Sequence, residues 1–353
     1  MPARWLSSFV SRLGQVLALV LGLVLPGILL ARPRPHYIVA GHEKPVALLR
    51  AGRATYLVTE GSVFGLEGAQ FVRKFQSAVP IQCAALADTV LWLGTRGGVQ
   101  ALNTRTLRAR PLPLPLAGAA PRIVALFTDA EGALWVAADG GGVFRWTHGA
   151  FTRELNTPAV NAGLATADSS VWVATNLGLS RKHGSEWTRY NEEGVANHEI
   201  PDNIVEQLLP DNDGNLWVVM SEGICVFEGA GRRAAAEGEL PTARFLGRPG
   251  NPVYGVGFLR GTGRLFATGM GLLLLATDPT KRFAEFAPST DLVVEKPLLR
   301  LLPAPPGLVA PGLAPVPYLL QVDSQQRVWL AYAGEVVVLT AKQFQALVRA
   351  SKA

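Results

Sequence analysis

One short phrase recurs along the chain and constrains its fold before any single residue is considered. It reads Val90-Leu-Trp-Leu-Gly-Thr-Arg-Gly-Gly-Val99, then Ala133-Leu-Trp-Val-Ala-Ala-Asp-Gly-Gly-Gly-Val143. It returns as Val171-Trp-Val-Ala-Thr-Asn-Leu-Gly-Leu179 and as Leu216-Trp-Val-Val-Met-Ser-Glu-Gly-Ile224. Weaker copies centre on Tyr56, Phe266 and Trp329. The anchor aromatics at 56, 92, 135, 172, 217, 266 and 329 are separated by 36, 43, 37, 45, 49 and 63 residues. A spacing of roughly 40–50 residues suits a propeller blade of four short strands. Seven copies therefore predict an all-β, seven-bladed β-propeller of four-stranded antiparallel blades.

The repeat around Trp135 shows how a blade is written. Ile123–Thr128 reads as the inner strand and Ala133–Ala138 as the second. Val143–Thr147 and Phe151–Leu155 then read as the third and outer strands. Each run is short and bounded by Gly, Asp or Asn, as hairpins require. A large aromatic on the second strand is expected to fill the wedge between neighbouring blades, a packing role rather than a stacking site for a ligand. The long final gap contains Pro303–Pro317, a Pro/Gly tract that cannot join a ladder and reads as a loop insertion.

Closure is a separate expectation. The last repeat supplies only three strands, at 318–322, 327–332 and 335–339, before a helix-like tail at 341–353. The spare strand His36–Ala40 is expected to become the outer strand of the last blade and seal the ring, so that the propeller spans 36–340.

Charge narrows the partners. The chain carries 33 basic and 27 acidic residues, a net charge of +6. Residues 1–53 hold seven of the cations and one of the anions, which leaves 26 of each sign on the rest. No basic excess falls on the propeller, so nucleic acid is not an expected partner. Arg4 and Arg12 precede an apolar run of fifteen residues, Val16–Leu30, which suits the apolar region of a signal peptide better than a full membrane span. Residues 1–31 are therefore expected to export the chain to the periplasmic or extracellular side of the inner membrane. The segment would act either as a cleaved signal peptide or as an uncleaved anchor in contact with the membrane.

Several motifs have plain structural readings. Asp211-Asn-Asp-Gly-Asn215 resembles a calcium loop, but its Gly is fourth rather than sixth. Asp129-Ala-Glu-Gly132 and Asp323-Ser-Gln-Gln326 occupy the same place in other repeats, so a repeated hairpin turn is expected. Gly140-Gly-Gly142 lacks the following Lys-Ser/Thr of a phosphate loop and falls in a turn slot shared by Gly97-Gly98 and Gly178. The five histidines show no metal-ligand spacing, and no metal or other cofactor is expected. Cys83 and Cys225, three blades apart, are expected to stay unbridged and to behave as small buried hydrophobes.

What remains is a face. Blade-to-blade connections and the turns between second and third strands should open on one side, around the channel mouth. Arg96, Asp139, Asn161, Asn176, His198, Asp202, Asn203 and Glu222 are the candidate ligand-binding residues there, joined by Asn156, Asn191 and Glu192. No nucleophile elbow or catalytic carboxylate pair accompanies them, so a non-enzymatic module is expected. His198 with a nearby Glu would be the acid–base pair of the alternative, a propeller lyase or hydrolase.

The strings 123–137, 171–190 and 211–218 resemble two-component regulator propeller repeats, the periplasmic sensor blades of bacterial hybrid histidine kinases. The resemblance covers most of residues 44–340 and is strongest in blades two to five. It implies a periplasmic propeller that senses an extracellular small molecule, often a polysaccharide breakdown product. Residues 1–353 contain no second apolar run, immunoglobulin-like linker or kinase module, so any signalling output is expected to come from a separate protein. The function expected is that of an exported, monomeric binding propeller for a small molecule such as a carbohydrate, or for an envelope protein. The alternative is a structural scaffold in an envelope complex.

Overall fold

The computed structural model describes residues 36–52, 54–116, 118, 121–193, 200–221, 223–227, 242–243, 252–275, 299–308 and 316–351. The proposed signal segment, His198 and Glu222 lie outside them. Residues Tyr37–Ala353 form one compact unit. Its strands assemble into seven four-stranded antiparallel sheets, the seven blades anticipated from the repeat. Six run in simple sequence order; the third, for example, is Ile123–Thr128, Leu134–Ala138, Gly142–Thr147 and Ala150–Leu155. Length variation falls outside the inner three strands. In blade six the outer strand Leu299–Leu301 pairs with Gly271–Leu275 across a long intervening stretch. The excess length of the last repeat is thus divided between that stretch and the Pro-rich tract, whose described residues form no strand.

Seven apolar clusters bind the blades together, and each combines residues of two neighbours. Trp92 packs with blade three (Ile123, Leu134, Val136), and Trp135 with blade four (Val160, Val171, Val173). Trp172 joins blade five, Trp217 blade six, and Trp329 blade one. These five indoles are at most 5 % exposed. The aromatics thus sit between sheets, as a repeated wedge requires.

The indole nitrogens are anchored by a rule of sequence spacing. In four of the five blades an acceptor stands six residues before the Trp. Asp129 Oδ2 accepts from Trp135 Nε1 at 2.8 Å, and Asp211 and Asp323 accept from Trp217 and Trp329 at 2.9 Å. In blade four Thr166 Oγ1 takes the place of the carboxylate, at 3.1 Å from Trp172 Nε1. Each Asp also accepts from the backbone N–H groups two and four residues on, which closes the turn. The calcium-like loop at 211–215 is therefore a hairpin turn whose carboxylate is fully occupied within the protein.

Closure follows the expected route. His36–Ile38 lies beside Glu335–Leu339 as the outer strand of the blade formed with Leu319–Val322 and Val328–Tyr332. Val39 N–H donates to Gly334 O at 2.8 Å. Tyr37 stacks on Trp329, with centroids 6.4 Å apart, and meets Phe71 of blade one edge-on at 5.5 Å. Arg50 reaches across from blade one to Asp323 at 3.4 Å and lies 4.7 Å from the Trp329 ring. The helix Ala341–Ala350 then starts at Thr340 with a reciprocal Thr340–Gln343 capping box.

The turn carboxylates make stability depend on pH. Burial alone would raise the pKa of Asp129 and Asp323. The indole, backbone and guanidinium donors outweigh it, holding both carboxyls below the ordinary carboxylate range. A depressed folded pKa stabilises the fold above about pH 4 and loses that contribution as pH falls through the folded value. Asp323→Asn should therefore lower the urea midpoint at pH 7 and flatten its decline between about pH 5 and pH 2. Parallel acid limbs for the two proteins would refute the assignment.

Candidate functional site

The second-to-third-strand turns are tied by hydrogen bonds to the segments that enter each blade. Gly178 N–H donates to Asn203 O at 2.7 Å, Gly140 N–H to Pro158 O at 3.0 Å, and Gly269 N–H to Pro252 O at 2.9 Å. Turns and connections thus share one face. Gly178 illustrates why the turn needs glycine: φ is +108°, and a Cβ would sit 2.2 Å from Tyr190 O. Gly142 is held likewise, with a Cβ position 2.4 Å from Leu155 O. Both of these glycines serve the turn.

Within this face opens a cavity of ≈ 710 Å³, lined by residues from all seven blades. Its lining has a backbone cause. In each of blades one to six the register of inner and second strands slips by one residue near the start of the inner strand. The slip is a β-bulge, which leaves one residue unpaired and re-aims its side chain. The six skipped residues are Val46, Gln82, Val124, Asn161, Glu206 and Tyr254, and every one lines the cavity. Each follows a buried anchor: Pro45, Ile81, Ile123, Val160, Val205 or Val253. Blade seven contributes Tyr318, which follows the buried Pro317.

The ring is chemically uneven. On the side of blades six, seven and one, Tyr254 and Tyr318 meet at 5.4 Å, and Lys44 Nζ lies 5.5 Å from the Tyr318 ring centre. Burial, and then the neighbouring Tyr318, push the Tyr254 hydroxyl above the ordinary phenol range, so it stays protonated. Opposite, Asn161 Nδ2 donates to Asn176 Oδ1 at 2.7 Å and to Val205 O at 2.8 Å, beside Glu206 and Gln207. Arg122 Nε donates to Gln82 Oε1 at 2.5 Å. Lys44 and Arg122 against Glu60, Asp139 and Glu206 leave the lining close to neutral. It is rich in amide, phenol and carboxylate groups, suited to a polar ligand with many hydroxyl or amide functions.

Of the residues singled out from sequence, Asp139, Asn161 and Asn176 line this cavity. Asp202 and Asn203 stand on the same face but brace the loop. Asp202 accepts from Ile204 N–H at 2.9 Å and from the Ser221 hydroxyl, and Asn203 Oδ1 accepts from Glu192 N–H at 2.9 Å. Arg96 is exposed in its turn and is not part of the lining. The bulge residues Gln82, Glu206 and Tyr254 were missed, as were Lys44, Glu60, Arg122 and Tyr318. Their shared feature, a position directly after the first buried apolar residue of each inner strand, emerges only with the strand register.

Among the described residues no three His, Cys, Asp or Glu side chains converge as metal ligands would. His183 Nδ1 lies 3.1 Å from Ser170 Oγ at an outer hairpin, and His148 occupies a turn at φ +52°. Both cysteines are free, and burial pushes both thiols up to about 12. Cys225 is fully buried, whereas Cys83 is only partly so. No described helix is long and apolar enough to cross a membrane.

Comparison with known proteins shows the fold alone. No family model matches the chain, and no curated protein matches it. Solved structures do. The extracellular domain of a B. thetaiotaomicron hybrid two-component system superposes with a TM-score of 0.61 at 16 % identity, over 86 % of this chain and 39 % of that one. Virginiamycin B lyase of Staphylococcus aureus gives 0.60 at 13 % identity, over 86 % and 98 %. PorZ, a surface component of the Porphyromonas gingivalis type-IX secretion system, gives 0.56 at 14 %, over 84 % and 46 %. The chain is a seven-bladed β-propeller. It spans less than half the length of the two-component protein it resembles.

Proposed function

We propose that this propeller is an exported, non-enzymatic binding module that takes a small polar ligand, such as a short carbohydrate, in the channel mouth. The observation carrying this reading is the ring of bulges. Six inner strands each give up one ladder position and place the skipped side chain on one cavity. A cavity of this size lies within the range of about 300–1,000 Å³ typical of ligand sites. The likeness to the extracellular domain of a two-component system is consistent with the same role.

The test is a thermal-shift and calorimetric screen of oligosaccharides and other polar small molecules against the wild type and the variants Tyr254→Ala and Glu206→Ala. A ligand of the mouth should bind each variant at least about tenfold more weakly, a loss of about 1.4 kcal/mol. Ligands held with unchanged affinity by both variants would place recognition elsewhere. A scaffold role has one observation in its favour. Leu177, Ile204 and Met270 are 53 %, 44 % and 43 % exposed on the turns and connections of the same face. Loss of a stoichiometric envelope partner on Leu177→Asp, with no small ligand found, would select that alternative.

A further inference from the structure

A second cavity lies away from the channel mouth and shares no lining residue with it. The C-terminal helix is docked on blades six and seven through Phe344 and Leu347, which cluster with Leu259, Leu272, Leu274 and Leu339. Between its last turns and blade six remains a space of ≈ 320 Å³. Thr262, Arg300, Gln345 and Arg349 line it over apolar walls from Leu274 and Val348.

Two polar atoms of this space are unmatched: Arg300 Nη1 and Thr262 Oγ1 are both buried and have no hydrogen-bond partner among the described residues. Among the described residues two with guanidinium groups line the cavity, and none with a carboxylate does. A buried charged donor without an acceptor is strongly disfavoured, so an acceptor brought from outside the chain would be held firmly. At the helix end two of the carbonyls that would repel an anion are already engaged. Ser351 N–H donates to Leu347 O at 3.2 Å and its hydroxyl to Val348 O at 2.8 Å.

We propose that this cavity is an oxyanion site for a phosphate or carboxylate group. The Arg300 and Arg349 guanidiniums would supply charge-assisted N–H donors, the kind that match planar and tetrahedral oxyanions in pairs. The Thr262 hydroxyl and the Gln345 amide would complete the shell. Leu274 and Val348 leave room for a compact group with a short apolar stem rather than a bulky polyanion.

The experiment titrates the intact chain with inorganic phosphate and with acetate at ionic strength fixed by sodium chloride, reading calorimetry and thermal midpoint. Co-sedimentation with phosphatidylglycerol vesicles distinguishes a lipid phosphate from a free one. One-to-one binding is expected, with a rise in Tm of about 2–3 °C at ten times Kd. Arg300→Met and Arg349→Met should each weaken it tenfold or more. Arg349 is exposed at the helix end, so its variant keeps the test valid even if Arg300→Met fails to fold. Vesicle binding that depends on both arginines, with neither free ion bound, would assign the oxyanion to a lipid head group. Failure of ions and vesicles alike to bind, or binding undiminished in both variants, would overturn the site.

Discussion

Trp217→Ala should destabilise the protein by about 3–5 kcal/mol, whereas Trp92→Phe should stay within about 1 kcal/mol of the wild type. The two indoles occupy equivalent positions in their blades; the first variant tests the wedge together with its anchor, the second a wedge whose indole has none. Trp217 is 1 % exposed, meets Phe266 of the next blade edge-on at 5.2 Å, and donates to the Asp211 carboxylate. Truncation would open a cavity between two sheets and remove an indole donor from a buried carboxylate. Trp92 fills the same wedge, edge-on to Trp146 at 5.4 Å, but its Nε1 is buried without a partner. Position 86, six residues earlier, is Leu where three other blades place Asp and one places Thr. A phenyl ring keeps most of the packing and removes the unmet donor, so the two effects nearly cancel. Guanidinium unfolding of both variants checks the pair. A loss of several kcal/mol in Trp92→Phe would refute the claim that its unmet indole donor offsets the lost packing, and a loss under about 1 kcal/mol in Trp217→Ala would refute the wedge role.

That spacing also shows how much of the structure could be read in advance. The blade count, the four-strand pattern and the place of the indoles all follow from short-range signals. Aromatics recur at a fixed interval, glycines mark the turns, and a Pro-rich tract cannot pair. The helix at 341–350 begins where the tail read as helix-like over 341–353 begins. The site was legible only in part. Asp139, Asn161 and Asn176 were reachable because they follow from which turns share a face. Gln82, Glu206 and Tyr254 were not, because period-two alternation carries no mark for the residue that a bulge will skip. Those positions hold Val, Gln, Val, Asn, Glu and Tyr in turn, with no common chemistry to betray them. What they share is a buried apolar neighbour immediately before them, and that is visible only once the register is known.

A chain that starts at Gly41, and so lacks the closing strand, should lose on the order of 4–6 kcal/mol relative to one that starts at Arg34. Val39 is buried at 5 % exposure, and a branched aliphatic of that kind contributes about 1.5–3 kcal/mol. Tyr37 adds its contacts with Trp329 and Phe71, and each ladder hydrogen bond adds about 0.5–1.5 kcal/mol. The removal also uncovers Val336 and Val338, which belong to the cluster joining blades one and seven. Glu335–Leu339 would then present an open apolar edge, a template for pairing with another chain. The shortened protein is therefore expected to associate in a concentration-dependent way as well as to melt early. Adding a peptide of residues 35–40 in trans should recover part of the Tm, because the groove it fills is formed by the rest of the blade. Arg50 and Gln321 would still link the two blades, through Asp323 and through Leu48 O at 2.7 Å. Those side-chain links alone cannot satisfy the backbone groups of an unpaired strand. Unchanged stability and a monomeric state in the shortened chain would mean that the ring is held by those links instead.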